Sequence, residues 1–270
     1  MKKPVYYVLI GVLLLVFCFS AFQIANYFIK GREKANQFDE LSQMVSQATT
    51  AATEPSTEAT TEATTEATTE ETTEPTEPTM IPGYADVYAL NGDMVGWLKI
   101  EGTKIDYPVM QTPDEPNYYL KRDFNRNYSD WGCLYAREEC DVNTPSDTVT
   151  IYGHTMKDGS MFAALHNYTD KSFYEDHKLI YFDTLTEYHV YEIFSVFKTS
   201  ANLGEGFRYH VMENAKDEKE FNDYVAECKK LSFYDTGITP VYGDKLILLS
   251  TCEYTLGDNS RLVVAARRVF

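Results

Sequence analysis

A low-complexity tract near the N-terminus divides this chain and limits how much of it can fold. Residues 51–80 contain eight Glu, twelve Thr and no Lys or Arg, and Thr-Glu-Ala-Thr repeats with a period of four. Such a segment has too few apolar side chains to form a core, and its like charges repel one another. We therefore predict a disordered spacer over residues 49–80 and a folded domain over residues 81–270.

The same tract explains much of the negative charge of the chain. The formal net charge is −17, and the tract supplies eight of those charges. The acidic total therefore does not argue for a cationic partner. The sequence also has no basic, aromatic pattern for nucleic acid, no Gly-rich phosphate loop and no metal-ligand spacing. We expect no nucleic-acid partner, no metal and no cofactor.

The first 30 residues predict a membrane anchor. No charged residue occurs from Pro4 to Ile29, and a helix rising about 1.5 Å per residue over that length crosses a hydrocarbon core of about 30 Å. A cleaved signal peptide is the alternative, but the run ends without a clear small-x-small cleavage site, which favours a retained anchor. Lysine and arginine flank both ends, so the positive-inside rule does not decide the orientation.

A short juxtamembrane helix is predicted over residues 31–48. Phe38, Leu41 and Val45 recur there at helical spacing. Because we interpret the acidic tract that follows as a spacer, we expect a chain beginning near Ile81 to fold and act without it.

The segment from residue 81 onward is rich in short strands. Apolar or alternating runs bounded by turn residues predict strands at 97–100, 105–109, 132–136, 148–152, 178–182, 188–198, 246–249 and 261–266. Helices are predicted at 84–90, at 161–168 and at 216–231, the last with an apolar stripe that should pack on the sheet. This pattern indicates a mainly β barrel or sandwich with helical additions.

Cys252 is the candidate nucleophile. It follows the apolar run that ends at Leu249, and after a turn-rich connection a second β-rich run begins at Arg261. Antiparallel pairing of the two runs would bring Arg261 beside Cys252, where a guanidinium favours the reactive thiolate. His154 also follows a predicted strand and is the candidate acid or base. Since a lone Cys or His is more often structural, spacing alone leaves catalysis a hypothesis.

Several separate motifs resemble those of class B sortases, in the order in which that family carries them. They are Leu249-Ser-Thr-Cys252 with Arg261, Tyr152-Gly-His154, Asp158-Gly-Ser-Met-Phe162, Asn91-Gly-Asp-Met-Val-Gly-Trp97, Tyr107-Pro-Val-Met-Gln111 and Tyr118-Tyr-Leu120. The resemblance covers the chain from residue 84 to the C-terminus. It implies a closed β-barrel of about eight strands with N-terminal helices and one long helix before the cysteine strand.

The resemblance also implies an activity. It is that of a membrane-anchored, extracellular cysteine transpeptidase on a Gram-positive cell surface, with residues 1–30 as cytoplasmic tip and anchor. The partners would be secreted proteins with a C-terminal sorting motif and an amine of peptidoglycan or of a pilin. Cys252 would form a thioester acyl-enzyme, His154 would move the proton, and Arg261 would stabilise the oxyanion or hold the substrate backbone. A hydrolysing cysteine peptidase and a non-catalytic stalked surface module are the rivals.

Four further residues are candidates for substrate contact. They are Ser250, Glu253, Leu120 and Asn117. The segment before the Tyr-Tyr-Leu motif is one residue longer than in the family pattern, so either Asn117 or Glu115 takes the place of its substrate-contacting asparagine. Arg137 stands where that pattern has an acidic residue.

The cysteines outside the anchor are Cys133, Cys140, Cys228 and Cys252. We expect Cys252 to be free because a disulfide there would remove the nucleophile. A Cys133–Cys140 bridge remains an alternative.

Overall fold

A closed barrel of eight strands forms the body of the molecule. The computed structural model describes residues 3–53, 79–202, 204–253 and 259–270. The strands are β1 (Met94–Lys99), β2 (Asp106–Met110), β3 (Leu134–Ala136), β4 (Thr148–Tyr152), β5 (Leu179–Thr184), β6 (Val190–Ser200), β7 (Leu246–Glu253) and β8 (Ser260–Arg268). They close in the order β1-β2-β3-β4-β7-β8-β6-β5. The prediction of a mainly β, barrel-type fold is confirmed, and each predicted strand overlaps one of the eight.

The central strands of the barrel are covered on both faces. On β7, Ile247 and Leu249 lie in the cluster that fills the barrel interior, whereas Leu246 and Leu248 belong to a second cluster outside it. All four side chains are 0–1% exposed. Burial on both faces explains why this strand is a continuous apolar run rather than an alternating one.

The helices surround the barrel. They are α1 (Lys3–Thr53), α2 (Pro82–Leu90), α3 (Lys171–Asp176) and α4 (Glu218–Leu231), with 3₁₀ helices at Tyr118–Lys121, Phe162–Thr169 and Tyr209–Val211. The Asp217 carboxylate caps α4 by accepting a hydrogen bond from the Glu220 amide at 2.8 Å. The apolar stripe of α4 covers the outer face of β6, β7 and β8, as its spacing predicts.

The N-terminal helix differs from the prediction. The segments predicted as an anchor and as a separate juxtamembrane helix form one continuous helix, which runs from Lys3 to Thr53 and includes the first residues assigned to the spacer. Phe38 and Leu41 are 3% and 5% exposed in the same core cluster as the barrel interior. Lys34 Nζ also lies 2.6 Å from Asp123 Oδ2, an ion pair to the loop that precedes β3.

The helices on either side of the acidic tract both pack with the barrel. Most of the tract, residues 54–78, lies outside the described residues. Spacing along α1 predicted an apolar stripe, but it did not show that the barrel was its partner. A chain beginning at Ile81 would lose this stripe and expose core residues.

We expect Phe38→Ala to destabilise the domain strongly. Its ring packs edge-on against Tyr107, with ring centres 5.0 Å apart. Truncation of a buried Phe typically costs about 3–5 kcal/mol in free energy of unfolding. Phe28→Ala is the matched control, because Phe28 is 57% exposed on the same helix. Urea unfolding of both variants, each in a chain beginning at Tyr27, measures the loss in free energy of unfolding. Equal small losses in the two variants would show that α1 is not part of the domain.

Candidate active site

Three neighbouring strands bring His154, Cys252 and Arg261 together. Cys252 on β7 is directly opposite Arg261 on β8. In the parallel pairing of β4 with β7, Tyr152 is level with Ser250, and His154 and Cys252 each follow two residues further on. Even-numbered residues of β7 face out of the barrel, as Leu246 and Leu248 do. Cys252 and Arg261 therefore share the outer face of the sheet, beside the end of β4 that His154 follows.

The loop before β3 orients His154. The half-buried His154 imidazole has Nε2 2.7 Å from the Leu120 carbonyl oxygen, which can only accept a hydrogen bond, so Nε2 carries the proton. Gly132 packs behind this carbonyl with φ at +61°, and a Cβ there would lie 2.7 Å from the Leu120 oxygen. Glycine is thus required both by its backbone conformation and by the close approach. In this tautomer Nδ1 is the nitrogen free to accept a proton.

Burial lowers the pKa of His154. Desolvation disfavours the imidazolium, and the positive charge of Lys121 acts in the same direction, while the hydrogen bond to Leu120 and the charge of Asp130 oppose them. Lys121 and Asp130 lie 3.1 Å apart as an exposed ion pair.

We therefore expect His154 to titrate below the ordinary histidine value of about 6.5. In a Cys252→Ala chain, which removes coupling to the thiol, NMR titration of the imidazole follows this pKa directly. Lys121→Gln should raise the pKa, because it removes a positive charge and frees Asp130 to act on the ring. The resonance that disappears in His154→Gln is assigned to the His154 imidazole. A pKa above the ordinary value in the Cys252→Ala chain would contradict the account of burial.

Phenol groups form the wall of the site next to Arg261. Tyr135 and Tyr152 pair across β3 and β4 with ring centres 5.4 Å apart, and Tyr209 lies beside them in a 3₁₀ helix. Burial raises the pKa of all three phenols, and the charge of Arg261 opposes that shift at Tyr135 and Tyr209. They remain neutral and able to donate hydrogen bonds. The sequence analysis missed them, although alternation along β3 and β4 places Tyr135 and Tyr152 on the catalytic face.

Two of the predicted substrate contacts are joined to this wall. Asn117, exposed and in the left-handed conformation, accepts a hydrogen bond from the Tyr135 hydroxyl at 2.9 Å. Ser250 is 1% exposed, and its hydroxyl lies 2.6 Å from that of Tyr209. The Ser250 hydroxyl is thus bonded to Tyr209, and the contact of Ser250 with a substrate stays a prediction.

Leu120 and Glu253 are the other two candidates for substrate contact. The Leu120 side chain is 38% exposed, next to the carbonyl that holds His154. The Glu253 side chain lies outside the described residues.

Arg137, at the position where the resemblance suggests an acid, has a structural role. Its guanidinium lies 2.7 Å from a carboxylate oxygen of Glu213 and 2.9 Å from one of Glu139, and it donates to the carbonyl of His210. These contacts tie the end of β3 to the connection between β6 and α4. Bidentate guanidinium pairs of this kind fix geometry as well as charge.

All of the cysteines are free. Cys133, Cys140 and Cys228 are buried, whereas Cys252 is half-buried. The alternative of a Cys133–Cys140 bridge is therefore not realised in the structure. Within the described ranges, no group of three or more His, Cys, Asp or Glu side chains is placed to hold a metal ion.

Comparison with known proteins gives one consistent result. The sortase domain family model matches residues 98–269. Sortase B of Listeria monocytogenes is 36% identical over 191 residues, which cover 68% of this chain and 73% of the relative. The structure of Bacillus anthracis sortase B in complex with AAEK1 superposes with a TM-score of 0.69 at 27% identity, covering 90% of this chain and 99% of that one. A Staphylococcus aureus sortase B–substrate complex has the same fold, with a TM-score of 0.73 at 24% identity over 89% of this chain and 98% of that one.

Proposed function

Because this chain belongs to the sortase family of cysteine transpeptidases and is of class B, we propose that it cuts a C-terminal sorting motif of secreted proteins and joins the new end to an amine. The acceptor amine is one of peptidoglycan or of a pilin. The observation that supports the site assignment is the pairing of Cys252 with Arg261, together with the position of His154 two residues past the end of β4, the parallel neighbour of the Cys252 strand.

In the first half of the reaction, the Cys252 thiolate attacks the carbonyl carbon of the scissile peptide bond. The resulting oxyanion lies next to the guanidinium of Arg261, which donates to it. Nδ1 of His154, which takes the proton of the Cys252 thiol as the thiolate forms, gives that proton to the leaving amine, and the thioester forms. Half-burial of Cys252 limits the access of water to this intermediate.

In the second half, an amine attacks the thioester carbonyl and Nδ1 of His154 takes its proton. A second tetrahedral intermediate then collapses to the new amide and restores the Cys252 thiolate. The lowered pKa of His154 supports this role, since the neutral imidazole predominates at neutral pH and can act as a base.

The wall of phenols supports recognition of the peptide backbone beside Cys252. Asn117 and Leu120 form the exposed rim on the side of His154, and the neutral hydroxyl of Tyr135 holds Asn117 in place by a hydrogen bond. Ser250 acts in this proposal by holding the Tyr209 hydroxyl in place. We also propose a substrate contact for Glu253, which follows Cys252 directly in the sequence.

We propose that α1 anchors the enzyme with its catalytic barrel outside the cell. Within the described part of the chain, one helix is long and apolar enough to cross a membrane, and its most apolar window is fully exposed. The ring of Tyr27, two residues before the end of the uncharged run, stacks on Trp131 with centres 5.2 Å apart. That contact supports a barrel that sits close to the membrane surface.

Product analysis by mass spectrometry tests the function. Sorting peptides of varied sequence are incubated with the enzyme alone and with a panel of amines that mimic peptidoglycan cross-bridges and pilin lysines. Transpeptidation predicts a new amide product that grows with amine concentration at the expense of hydrolysis. A product distribution that ignores every amine would instead identify a hydrolysing peptidase.

A further inference from the structure

A chain of side-chain hydrogen bonds connects the two catalytic segments beyond the end of β4. The last backbone bond between β4 and β7 runs from the Gly153 amide to the Ser250 carbonyl at 3.1 Å. Past that point, Thr251 Oγ1 donates to the Gly153 carbonyl at 2.7 Å. Thr155 Oγ1 lies 2.8 Å from Thr251 Oγ1, and His166 Nε2 lies 2.9 Å from Thr155 Oγ1. The residues on either side of His154 are thus bound to the residue before Cys252.

The donors in this chain follow from the number of hydrogens. A hydroxyl has one hydrogen to donate, and that of Thr251 is given to the Gly153 carbonyl. The bond between the two threonines must therefore be donated by Thr155. His166 Nε2–H then donates to Thr155, so all donors run in one direction and each bond strengthens the next. The Cys252 carbonyl, 3.3 Å from Thr155 Oγ1, is the longer alternative for the same hydrogen.

The threonines do not share the face of the sheet on which the reaction occurs. Thr251 is 2% exposed and lies between Ser250 and Cys252 on β7, so its side chain points to the opposite face from theirs. A substrate on the outer face contacts neither hydroxyl. Any influence on the reaction must act through the positions of His154 and Cys252.

We propose that the Thr155–Thr251 hydroxyl pair, supported by His166, is a positioning device that fixes the separation of the His154 imidazole and the Cys252 thiol. The proposal rests on the roles given to those two residues in the proposed function. Backbone pairing fixes β4 against β7 only as far as Gly153, whereas the reacting atoms lie beyond it. The hydroxyl chain continues the connection in that gap.

The test compares two substitutions of Thr155 in the full chain. Thr155→Val keeps the branched shape but removes the hydroxyl, whereas Thr155→Ser keeps the hydroxyl. Since small displacements of reacting groups reduce rates strongly, we expect kcat to fall about tenfold or more in Thr155→Val, with little change in KM, and to stay within about twofold of wild type in Thr155→Ser. Equal kcat values for Thr155→Val and wild type would overturn the proposal.

Thr184→Val is the matched control for loss of a buried hydroxyl. Thr184 lies on β5, across the barrel from β4 and β7, and is 6% exposed. Its Oγ1 accepts a hydrogen bond from the Glu187 amide at 3.0 Å. Thr184→Val should lower the melting temperature and leave kcat unchanged. An equal loss of kcat in Thr184→Val would show that general destabilisation explains the result and would refute a positioning role.

A double-mutant cycle between Thr155→Val and Thr251→Val provides a second measurement. Both substitutions remove the hydrogen bond between Thr155 and Thr251, so kcat of the double variant should be no lower than that of the less active single variant. Additive losses of kcat would contradict the proposal. Cys252→Ala is assayed alongside. If Cys252→Ala remains active, the proposed function itself fails, whereas an active Thr155→Val with an inactive Cys252→Ala removes only this inference.

Discussion

Cys252→Ala abolishes both cleavage and transfer and leaves the barrel folded. Cys252 is the one thiol that is not buried among the cysteines that follow the anchor, and it lies beside Arg261 on the outer face of the sheet. Loss of the nucleophile in a comparable hydrolase lowers kcat on the order of a millionfold, so no turnover above background is expected. Steady-state assay of one cleaved sorting peptide, with circular dichroism and thermal unfolding of the same sample, measures the effect and shows that the fold is intact.

The buried cysteines supply the controls for that variant. Burial raises the pKa of Cys140 to about 11 and raises those of Cys133 and Cys228 as well, so these thiols stay protonated and unreactive at neutral pH. Cys133→Ala and Cys228→Ala should therefore lose stability but retain kcat/KM. Turnover that persists in Cys252→Ala and disappears in Cys228→Ala would assign the nucleophile elsewhere.

Arg261→Ala lowers kcat/KM by about a hundred- to a thousandfold, the usual effect of removing one oxyanion donor. Its Nη1 donates to the neighbouring Ser260 carbonyl at 3.0 Å, which holds the guanidinium beside Cys252. Arg261→Lys should recover only a small part of the loss, because a flexible ammonium keeps the charge but not the fixed fork of donors. Measurement of kcat/KM for both variants with one peptide tests this.

Arg267→Ala is the matched control on the same strand. Arg267 faces the same side of β8 as Arg261 but pairs with Glu192 and Asp244 at 3.5 and 3.7 Å, away from Cys252. Arg267→Ala should lower the melting temperature and leave kcat/KM unchanged. Nearly wild-type activity in Arg261→Lys would show that the positive charge alone is sufficient and would contradict the role given to the fixed fork of donors.

Local patterns in the sequence predicted the part of the site that lies on neighbouring strands. The apolar run before Cys252 and the β-rich run from Arg261 are joined by a turn-rich segment, so their antiparallel pairing could be inferred without knowledge of the rest of the barrel. The pairing of Cys252 with Arg261 matches that inference. The position of His154 could not be inferred in the same way, because β4 and β7 are parallel and separated by almost a hundred residues.

Contacts between distant segments account for what the sequence did not reveal. Spacing showed that Phe38 and Leu41 share one face of a helix, but the partner of that face, the barrel, is set by tertiary packing. Ser250 was predicted to meet substrate because it flanks Cys252, yet its hydroxyl is bonded to Tyr209, 41 residues away in the chain. The Thr155–Thr251 bond likewise joins residues 96 positions apart.

The most direct test of the central claim is to trap the acyl-enzyme and locate it. The wild-type chain is mixed with a sorting peptide without amine, quenched in acid and analysed by intact mass and peptide mapping. We predict one adduct equal to the N-terminal part of the cleaved peptide, attached as a thioester to Cys252, that disappears on addition of an amine as the amide product forms. An adduct on any other residue, or one that amines do not discharge, would contradict the account.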